Sequence, residues 1–145
     1  MSELKLVEVY CDGACQGNPG PGGWAAILNC CGKKKEISGG ECGTTNNRME
    51  IMAALEALKA IKESCQVVFY TDSNYLLRGA TEWLPDWKRR NWKRKEGKLA
   101  NIELWQKMDQ ELSRHEVRWV WVKGHAGDHL NERADYLARK AIPRC

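Results

Sequence analysis

The sequence predicts an α/β fold in which three antiparallel strands come first and helices then alternate with two further strands. Two observations predict it. The first third of the chain alternates apolar and polar residues between Gly-rich turns, which is typical of strands. The remainder changes to helical spacing several times and returns twice to short runs rich in Val and aromatic residues. With 145 residues, the chain suits one domain, residues 1–145, with a buried core.

The first three strands are separated by turn residues. "LKLVEVYCD" (residues 4–12) is apolar at nearly every second position and predicts the first strand. After a run of Gly and Pro, "GWAAILNC" (23–30) predicts the second strand. "CGKK" is a turn, and "KKEISGG" (34–40) is short and charged, as expected of an edge strand. Tight turns between all three indicate an antiparallel meander.

The first long helix is predicted over residues 44–63, where the apolar period changes. Helix-forming residues dominate this segment, and its four opening residues are all suitable N-caps: Thr44, Thr45, Asn46 and Asn47. "CQVVFYTDS" (65–73) then predicts a fourth, buried strand. Since a strand, a crossover helix and a further strand form a parallel pair, the first and fourth strands should run in the same direction.

The second half of the chain predicts three further helical regions and one strand. Short helices are expected around Pro85, and "NIELWQKMDQELSR" (101–114) has the pattern of an amphipathic helix. "EVRWVWVKG" (116–124) alternates like a strand, and residues 128–142 predict a closing helix that ends before Pro143. The predicted order is βββ-α-β-α-α-α-β-α.

Composition excludes several functional classes. No apolar stretch is long enough to cross a membrane, and the N-terminus lacks the pattern of a signal peptide, so a cytoplasmic location is expected. The seven cysteines lack paired CxxC spacing, which argues against zinc. Without a secretory signal, a disulfide is not expected, and the thiols should be buried or idle. Residues 13–23 lack GxGxxG and lead into a strand, which excludes a dinucleotide-binding oxidoreductase.

The net charge of +4 is concentrated in one segment. "WKRRNWKRKEGK" (87–98) carries seven Lys or Arg residues and a single Glu, so the remainder of the chain is slightly acidic. Such a patch predicts a polyanionic partner, and the interleaved Trp residues fit a nucleic-acid handle. Core packing of the Trp rings and an ordinary solvated face are the alternatives.

Two aspartates end the two strands that should be parallel neighbours. Asp12 closes the first strand and Asp72 closes the fourth, so both should lie at the sheet edge where open α/β sheets bind ligands. Either residue alone could simply cap a turn. Together they should repel unless they share a proton or hold a cation between them.

Further carboxylates extend this acidic pair. Glu50 is expected in or near the first turn of the crossover helix, close to the same edge. On the closing helix, Asp128, Glu132 and Asp135 share one face, and any of them could add a fourth oxygen ligand. Hard oxygen ligands without a Cys or His set suit Mg²⁺ or Mn²⁺ better than zinc.

Several sequence blocks, in this order, resemble bacterial type 1 ribonuclease H (ribonuclease HI): "DGACQGNPGPGGW", "TTNNRMEIMAAL", "YTDSNYL", "WKRRNWK", "NIELWQ" and "VKGHAGDHLNERAD". The similarity covers residues 7–141. It implies the ribonuclease H-like fold, a five-stranded mixed sheet of order 3-2-1-4-5 flanked by helices. It also implies five catalytic residues, of which the carboxylates bind metal: Asp12, Glu50, Asp72, Asp135 and the loop histidine His125. His125 would shuttle a proton or aid product release, whereas His115 and His129 are expected on the surface.

The resemblance further implies the reaction. The family cuts the RNA strand of RNA/DNA hybrids with two Mg²⁺ ions, for which Mn²⁺ can substitute, and leaves 3′-hydroxyl and 5′-phosphate ends. The expected partner is therefore an RNA/DNA hybrid duplex, bound by a monomer. A non-catalytic nucleic-acid-binding module on the same fold is the main alternative, and the presence of all four carboxylates argues against it. The basic Trp-rich segment and "TTNN" argue against another nuclease of the superfamily.

The resemblance also implies substrate contacts at three places. Minor-groove contacts map onto four residues: Cys15, Asn18, Asn46 and Asn74. A phosphate pocket maps onto Thr45 and Asn101, without the Arg that some eukaryotic members carry at the position of Gly43. A basic protrusion that grips the DNA strand maps onto Trp83, Trp87, Lys88, Arg89 and Arg90.

Overall fold

The computed structural model describes residues 4–93, 101–122 and 129–145. It contains five strands: β1 (Leu6–Cys15), β2 (Gly20–Cys30), β3 (Lys33–Thr44), β4 (Gln66–Thr71) and β5 (Glu116–Trp121). The helices are α1 (Asn46–Ala60), α2 (Asn74–Arg78), α3 (Leu84–Arg89), α4 (Ile102–Leu112) and α5 (His129–Lys140). A π-helical turn, Gly79–Trp83, joins α2 to α3. None of the helices in these described ranges has the length and apolar character that a bilayer span requires.

The five strands form one sheet of order β3-β2-β1-β4-β5, which confirms the predicted mixed sheet. β1 pairs antiparallel with β2 and parallel with β4, and β4 pairs parallel with β5. The β2–β3 pairing continues to Thr44 through an irregularity between Gly20 and Gly22. β3 is therefore longer than its sequence pattern predicted, because backbone pairing with β2 continues across glycines that carry no alternating pattern.

The two faces of the sheet bury different helices. Val9 and Cys11 of β1 lie in a core cluster with the apolar face of α1, including Ile51 and Leu58. Ala26 of β2 lies in the same cluster. Because side chains alternate along a strand, its neighbour Ala25 faces the other side of the sheet. That second face is covered by α5, whose carbonyl at Ala138 lies against Gly23. The arrangement brings α1 and α5 to opposite sides of β1. Asp12, on β1, therefore lies between the two helices.

The start of α1 is fixed by a capping residue. Thr45 is the N-cap, and its Oγ1 accepts a hydrogen bond of 3.2 Å from the backbone N–H of Arg48. Arg48 in turn forms a two-pronged ion pair with Glu41 of β3, with Nε–Oε1 and Nη2–Oε2 distances of 2.7 and 3.1 Å. Glu50 consequently lies just beyond the first turn of α1, on the helix face that is buried against the sheet.

Two expectations from the sequence are wrong. Cys42 and Cys145 form a disulfide, although none was expected. The two residues are 103 positions apart and meet only because the segment after α5 crosses β3 beside Gly40, so their spacing carries no signal. His115 is half-buried, not on the surface, because its Nδ1 accepts a 3.0 Å hydrogen bond from the backbone N–H of Cys65.

The disulfide should stabilise the fold, because it closes a loop of about 100 residues and so restricts the unfolded chain. Cys42→Ser under non-reducing conditions should lower the free energy of unfolding by about 2–4 kcal/mol, as measured by urea denaturation. The matched control is the same pair of proteins in dithiothreitol, where both should unfold alike. Equal stabilities with and without reductant would contradict the prediction.

Candidate active site

Three carboxylates from separate elements converge at one edge of the sheet. Asp12 near the end of β1, Glu50 on α1 and Asp72 just after β4 each place an oxygen within 4.8 Å of the others. Asp12 and Glu50 are buried, and Asp72 is half-buried. The parallel pairing of β1 with β4 brings the two aspartates together, as the sequence predicted.

Glu50 joins the pair because α1 passes directly over Gly13. A Cβ atom at position 13 would lie 2.6 Å from the backbone nitrogen of Glu50 and 2.7 Å from the carbonyl carbon of Met49. No side chain fits there, so glycine is required for the helix to come this close. This role of Gly13 was not predicted from the sequence, although a glycine directly after a strand-ending aspartate was a visible signal.

Asp72 is positioned by the tight turn that follows β4. The Oγ1 of Thr71, which is fully buried, accepts a 3.0 Å hydrogen bond from the backbone N–H of Ser73. The hydroxyl of Ser73 caps α2 by accepting from the backbone N–H of Leu76 at 3.1 Å. The turn on either side of Asp72 is therefore fixed by hydrogen bonds, which restricts where its carboxylate can lie.

A fourth carboxylate, Asp135 of α5, reaches the cluster from the opposite side of the sheet. Its side chain lies close enough to that of Asp12 to raise the pKa of Asp12. Its Oδ2 also lies 2.8 Å from Nη2 of Arg139, one helical turn further along. Of the other two candidates on this helix, Glu132 is exposed and Asp128 lies outside the described residues. The structure therefore places Asp135, and not Glu132, beside the other carboxylates.

The electrostatics of this cluster are unfavourable for the chain alone. Burial, repulsion from Asp72 and the contact with Asp135 raise the pKa of Asp12 from 3.8 to about 8. Burial, followed by repulsion from Asp12 and Asp72, raises the pKa of Glu50 well above its ordinary value. The hydrogen bond that the Gly13 backbone N–H donates to Asp12, 2.9 Å long, offsets only part of this effect.

These residues fit a divalent cation. Oε2 of Glu50 is buried and has no hydrogen-bond partner within the described part of the protein. An acceptor of this kind is costly unless a ligand satisfies it. The donor set consists of carboxylate oxygens, which suit Mg²⁺, Ca²⁺ or Mn²⁺. A cation between these oxygens would replace repulsion with attraction.

Three of the predicted groove-contacting residues lie together beside this cluster. Asn18 follows β1, and its Oδ1 accepts a 3.2 Å hydrogen bond from the backbone N–H of Asn46 at the start of α1. The Sγ of Cys15 lies 3.4 Å from the carbonyl oxygen of Thr44. The loop between β1 and β2 is therefore joined to the first turn of α1. Asn74, the fourth residue, is exposed at the start of α2.

The two predicted phosphate-pocket residues each begin a helix. Thr45 caps α1, and Asn101 precedes α4 in a left-handed conformation with φ of 59°. Nδ2 of Asn101 donates a 3.3 Å hydrogen bond to the hydroxyl of Tyr75. The carboxylate of Glu103, in the first turn of α4, acts electrostatically on Arg48 of α1, which indicates that the two helix starts are neighbours.

The basic Trp-rich segment packs its rings and exposes its charges. Trp83, Trp87 and Trp92 form a chain of ring contacts with centroid separations of 6.1 and 6.5 Å. Trp87 also meets Trp105 of α4 edge-on at 5.7 Å. The core-packing interpretation of these rings is thus correct in part, because each of the three remains half-exposed.

The cations beside these rings are held by nearby carboxylates. Lys88 lies 3.1 Å from Asp109, and Arg89 and Arg90 lie 3.0 and 3.3 Å from Asp86. All three cations are about half exposed or more, so these pairs are weak and can exchange for phosphate. Arg94 and Lys95 of the same segment, and the predicted catalytic His125, lie outside the described residues.

Comparisons with known proteins point to one family. The family model described as RNase H matches residues 5–143. A Ribonuclease H of Bradyrhizobium sp. is 57% identical over 143 residues, which cover 98% of this chain and 93% of that protein. A Ribonuclease HI of Pseudomonas aeruginosa is 52% identical over 143 residues, which cover 98% and 97% of the two chains.

Solved structures show the same similarity. The crystal structure of LC9-RNase H1, described as a type 1 RNase H with the type 2 active-site motif, is 39% identical with a TM-score of 0.90. The match covers 98% of this chain and 74% of that one. A structure of LC11-RNase H1 in complex with an RNA/DNA hybrid has a TM-score of 0.67 at 23% identity, covering 94% and 96% of the two chains. This second likeness supports the fold.

Neutralising the central carboxylate should stabilise the metal-free protein. Because the pKa of Asp12 rises from 3.8 to about 8 on folding, the folded chain binds more protons than the unfolded chain between these values. Stability from this group is therefore lost as pH rises through that window. The Tm of Asp12→Asn should exceed that of the unsubstituted chain in EDTA, and the difference should widen from pH 4 to pH 8.

Melting curves followed by circular dichroism test this expectation. Glu132→Gln, which removes an exposed carboxylate from α5, is the matched control and should leave Tm nearly unchanged. A Tm for Asp12→Asn that is equal or lower throughout the window would show that the carboxylates do not repel one another in the folded chain.

Proposed function

The chain belongs to the ribonuclease H family of nucleases, and from this premise we propose that it hydrolyses the RNA strand of RNA/DNA hybrids. The products would carry 3′-hydroxyl and 5′-phosphate ends. The observation that carries the proposal is the convergence of Asp12, Glu50 and Asp72, with Asp135 near enough to act on Asp12. The name that the curated relatives share supports the substrate.

The carboxylates would hold two Mg²⁺ ions, or Mn²⁺ in their place. Divalent cations in such a site supply a water of lowered pKa and stabilise the charge that develops on the phosphate and the leaving oxygen. Asp12 contacts both Glu50 and Asp135 electrostatically, so it is the residue suited to both cation positions. Glu50 and Asp72 would complete one position, and Asp135 would complete the other.

The chain's own contribution is to hold four carboxyl groups in place before cations and substrate arrive. Gly13 admits α1, the turn around Asp72 is fixed by Thr71 and Ser73, and Arg139 holds Asp135. Preorganised charges of this kind need little rearrangement during the reaction. His125 would shuttle a proton or aid release of product, as proposed for the histidine at this position from the sequence.

Recognition of the RNA strand would fall to the loop between β1 and β2 and the start of α1. There, a hydrogen bond joins Asn46 to Asn18, and the thiol of Cys15 donates to the carbonyl oxygen of Thr44. Short polar side chains and free backbone groups suit the 2′-hydroxyls displayed in the minor groove. Asn74, at the start of α2, would contact the same groove from the other side of Asp72.

The DNA strand would lie along the basic segment. The half-exposed rings of Trp83 and Trp87 offer flat apolar surface, and Lys88, Arg89 and Arg90 offer exposed charge for phosphates. Thr45 and Asn101 would bind one further phosphate between the starts of α1 and α4.

A single catalytic domain over residues 1–145, a monomeric state and a cytoplasmic location remain predictions from the sequence.

The competing interpretation, a binding module without catalysis, gains no support from the site. A module that binds only through its basic surface has no need of four carboxylates, two of which are buried. Buried acidic groups also weaken the attraction of nucleic acid to that surface. Their retention is therefore best explained by metal-dependent chemistry.

Cleavage assays on matched duplexes test the proposal. Labelled RNA/DNA, RNA/RNA and DNA/DNA duplexes of one sequence should be incubated with and without Mg²⁺, and only the RNA strand of the hybrid should be cut, in the presence of metal. Asp12→Asn should lose cleavage and keep hybrid binding in gel-shift assays. Glu132→Gln should retain both activities. Equal cleavage of all three duplexes, or near-normal turnover by Asp12→Asn, would refute the proposal.

A further inference from the structure

A cavity of about 510 Å³ lies far from the carboxylates. It opens between the start of β1, the end of α1 and the turn that joins β2 to β3, and its floor includes Val7, Leu28 and Ile61. Asp12 pairs with Ala25, whereas the turn begins six residues further along the chain at Cys31. At ~3.4 Å per residue, the two sites are about 20 Å apart.

The rim of this cavity is strongly basic. Lys33, Lys34, Lys35 and Lys62 line it. Within the parts of the chain that the structure describes, none of these four forms an ion pair with a carboxylate. Lys5, also at the rim, pairs with Glu63 at 3.2 Å. An apolar floor under ammonium groups that no described carboxylate neutralises suits a small ligand that carries carboxylates.

Two adjacent cysteines lie at the end of β2, and the first of them lines the same cavity. Cys30 lines the cavity, and its Sγ donates a hydrogen bond to Sγ of Cys31, 3.7 Å away. Cys31 is exposed, and it begins the turn with φ of 55°, followed by Gly32 with φ of 81°. The hydrogen bond to Cys31 raises the pKa of the Cys30 thiol. Cys31 is the more exposed of the two thiols, so it is the one that a small disulfide can reach.

We propose that Cys31 is a modification site that forms a mixed disulfide with an anionic low-molecular-weight disulfide of the oxidised glutathione class. The half that becomes attached lies in the cavity, with its carboxylates among the lysines of the rim. A cavity of this volume is within the range that accommodates small ligands. The lysines of the rim favour an anionic disulfide over a neutral one, and the apolar floor accommodates the half that becomes attached to the thiol.

The reaction is thiol–disulfide exchange and needs no further reactant. The thiolate of Cys31 attacks one sulfur of the small disulfide, whose S–S bond breaks as the new S–S bond forms. The other half leaves as a thiolate and takes up the proton that Cys31 gave to solvent. A lone pair of the Cys31 sulfur forms the new bond, and the electron pair of the broken S–S bond leaves with the departing thiolate. The Cys31 sulfur is thereby oxidised to the same formal extent as the departing sulfur is reduced.

Intact-mass spectrometry with peptide mapping tests the assignment on the full chain. Oxidised glutathione should add one glutathionyl group at Cys31, and Cys31→Ser should remain unmodified at the turn. The combined variant Lys33→Gln/Lys34→Gln/Lys35→Gln should react with oxidised glutathione at least about threefold more slowly. A rate change of this size is expected when attraction between exposed charges is lost. The rate of this variant with the neutral hydroxyethyl disulfide should be unchanged, and substitution by Arg at the same three positions should restore the rate with glutathione.

Three results would overturn the proposal: equal rates for charged and neutral disulfides, no dependence on the lysines, or a bond between Cys30 and Cys31 in place of the mixed disulfide. Cys15, a half-exposed thiol outside the cavity, is the internal control and should react more slowly than Cys31. The test is independent of the proposed nuclease function, because its readout is mass and the site is remote from Asp12.

Discussion

Repulsion among buried carboxylates is the constraint on which the active end of this protein depends. One acidic group reaches the same point from each of four elements: β1, β4, α1 and α5. Burial adds to the repulsion between these groups, and together they raise the pKa of Asp12 and Glu50. A chain selected only for stability would avoid such a cluster. The rest of the fold supplies the free energy that holds these groups together until a cation balances them.

That free energy comes from the close packing of α1 and α5 on opposite faces of the sheet. Gly13 allows α1 to lie directly on β1, and Gly23 does the same for α5 on β2. The apolar face of α1 is buried in the main core, and the disulfide from Cys42 to Cys145 ties the end of the chain to β3. Rigid elements, rather than loops, therefore carry Asp12, Glu50 and Asp135, which suits a site that must resist its own repulsion.

Much of this arrangement could be predicted from the sequence, because it follows from local periodicity and from one topological rule. The parallel relation of the first and fourth strands was enough to place Asp12 beside Asp72, and the resemblance to ribonuclease H supplied Asp135, which the helical spacing alone left open. Close approaches between distant segments could not be predicted. The contact over Gly13, the pairing of Cys42 with Cys145 and the burial of His115 depend on three-dimensional distances that no spacing encodes.

Whether the carboxylate cluster binds divalent cations can be seen in a crystal structure grown with Mn²⁺. Anomalous scattering identifies the ion and its ligands without reference to activity. We expect Mn²⁺ density among the oxygens of Asp12, Glu50 and Asp72, with Asp135 within reach of a second ion when substrate is bound. An empty cluster at Mn²⁺ concentrations that support cleavage, or Mn²⁺ held elsewhere on the protein, would contradict it.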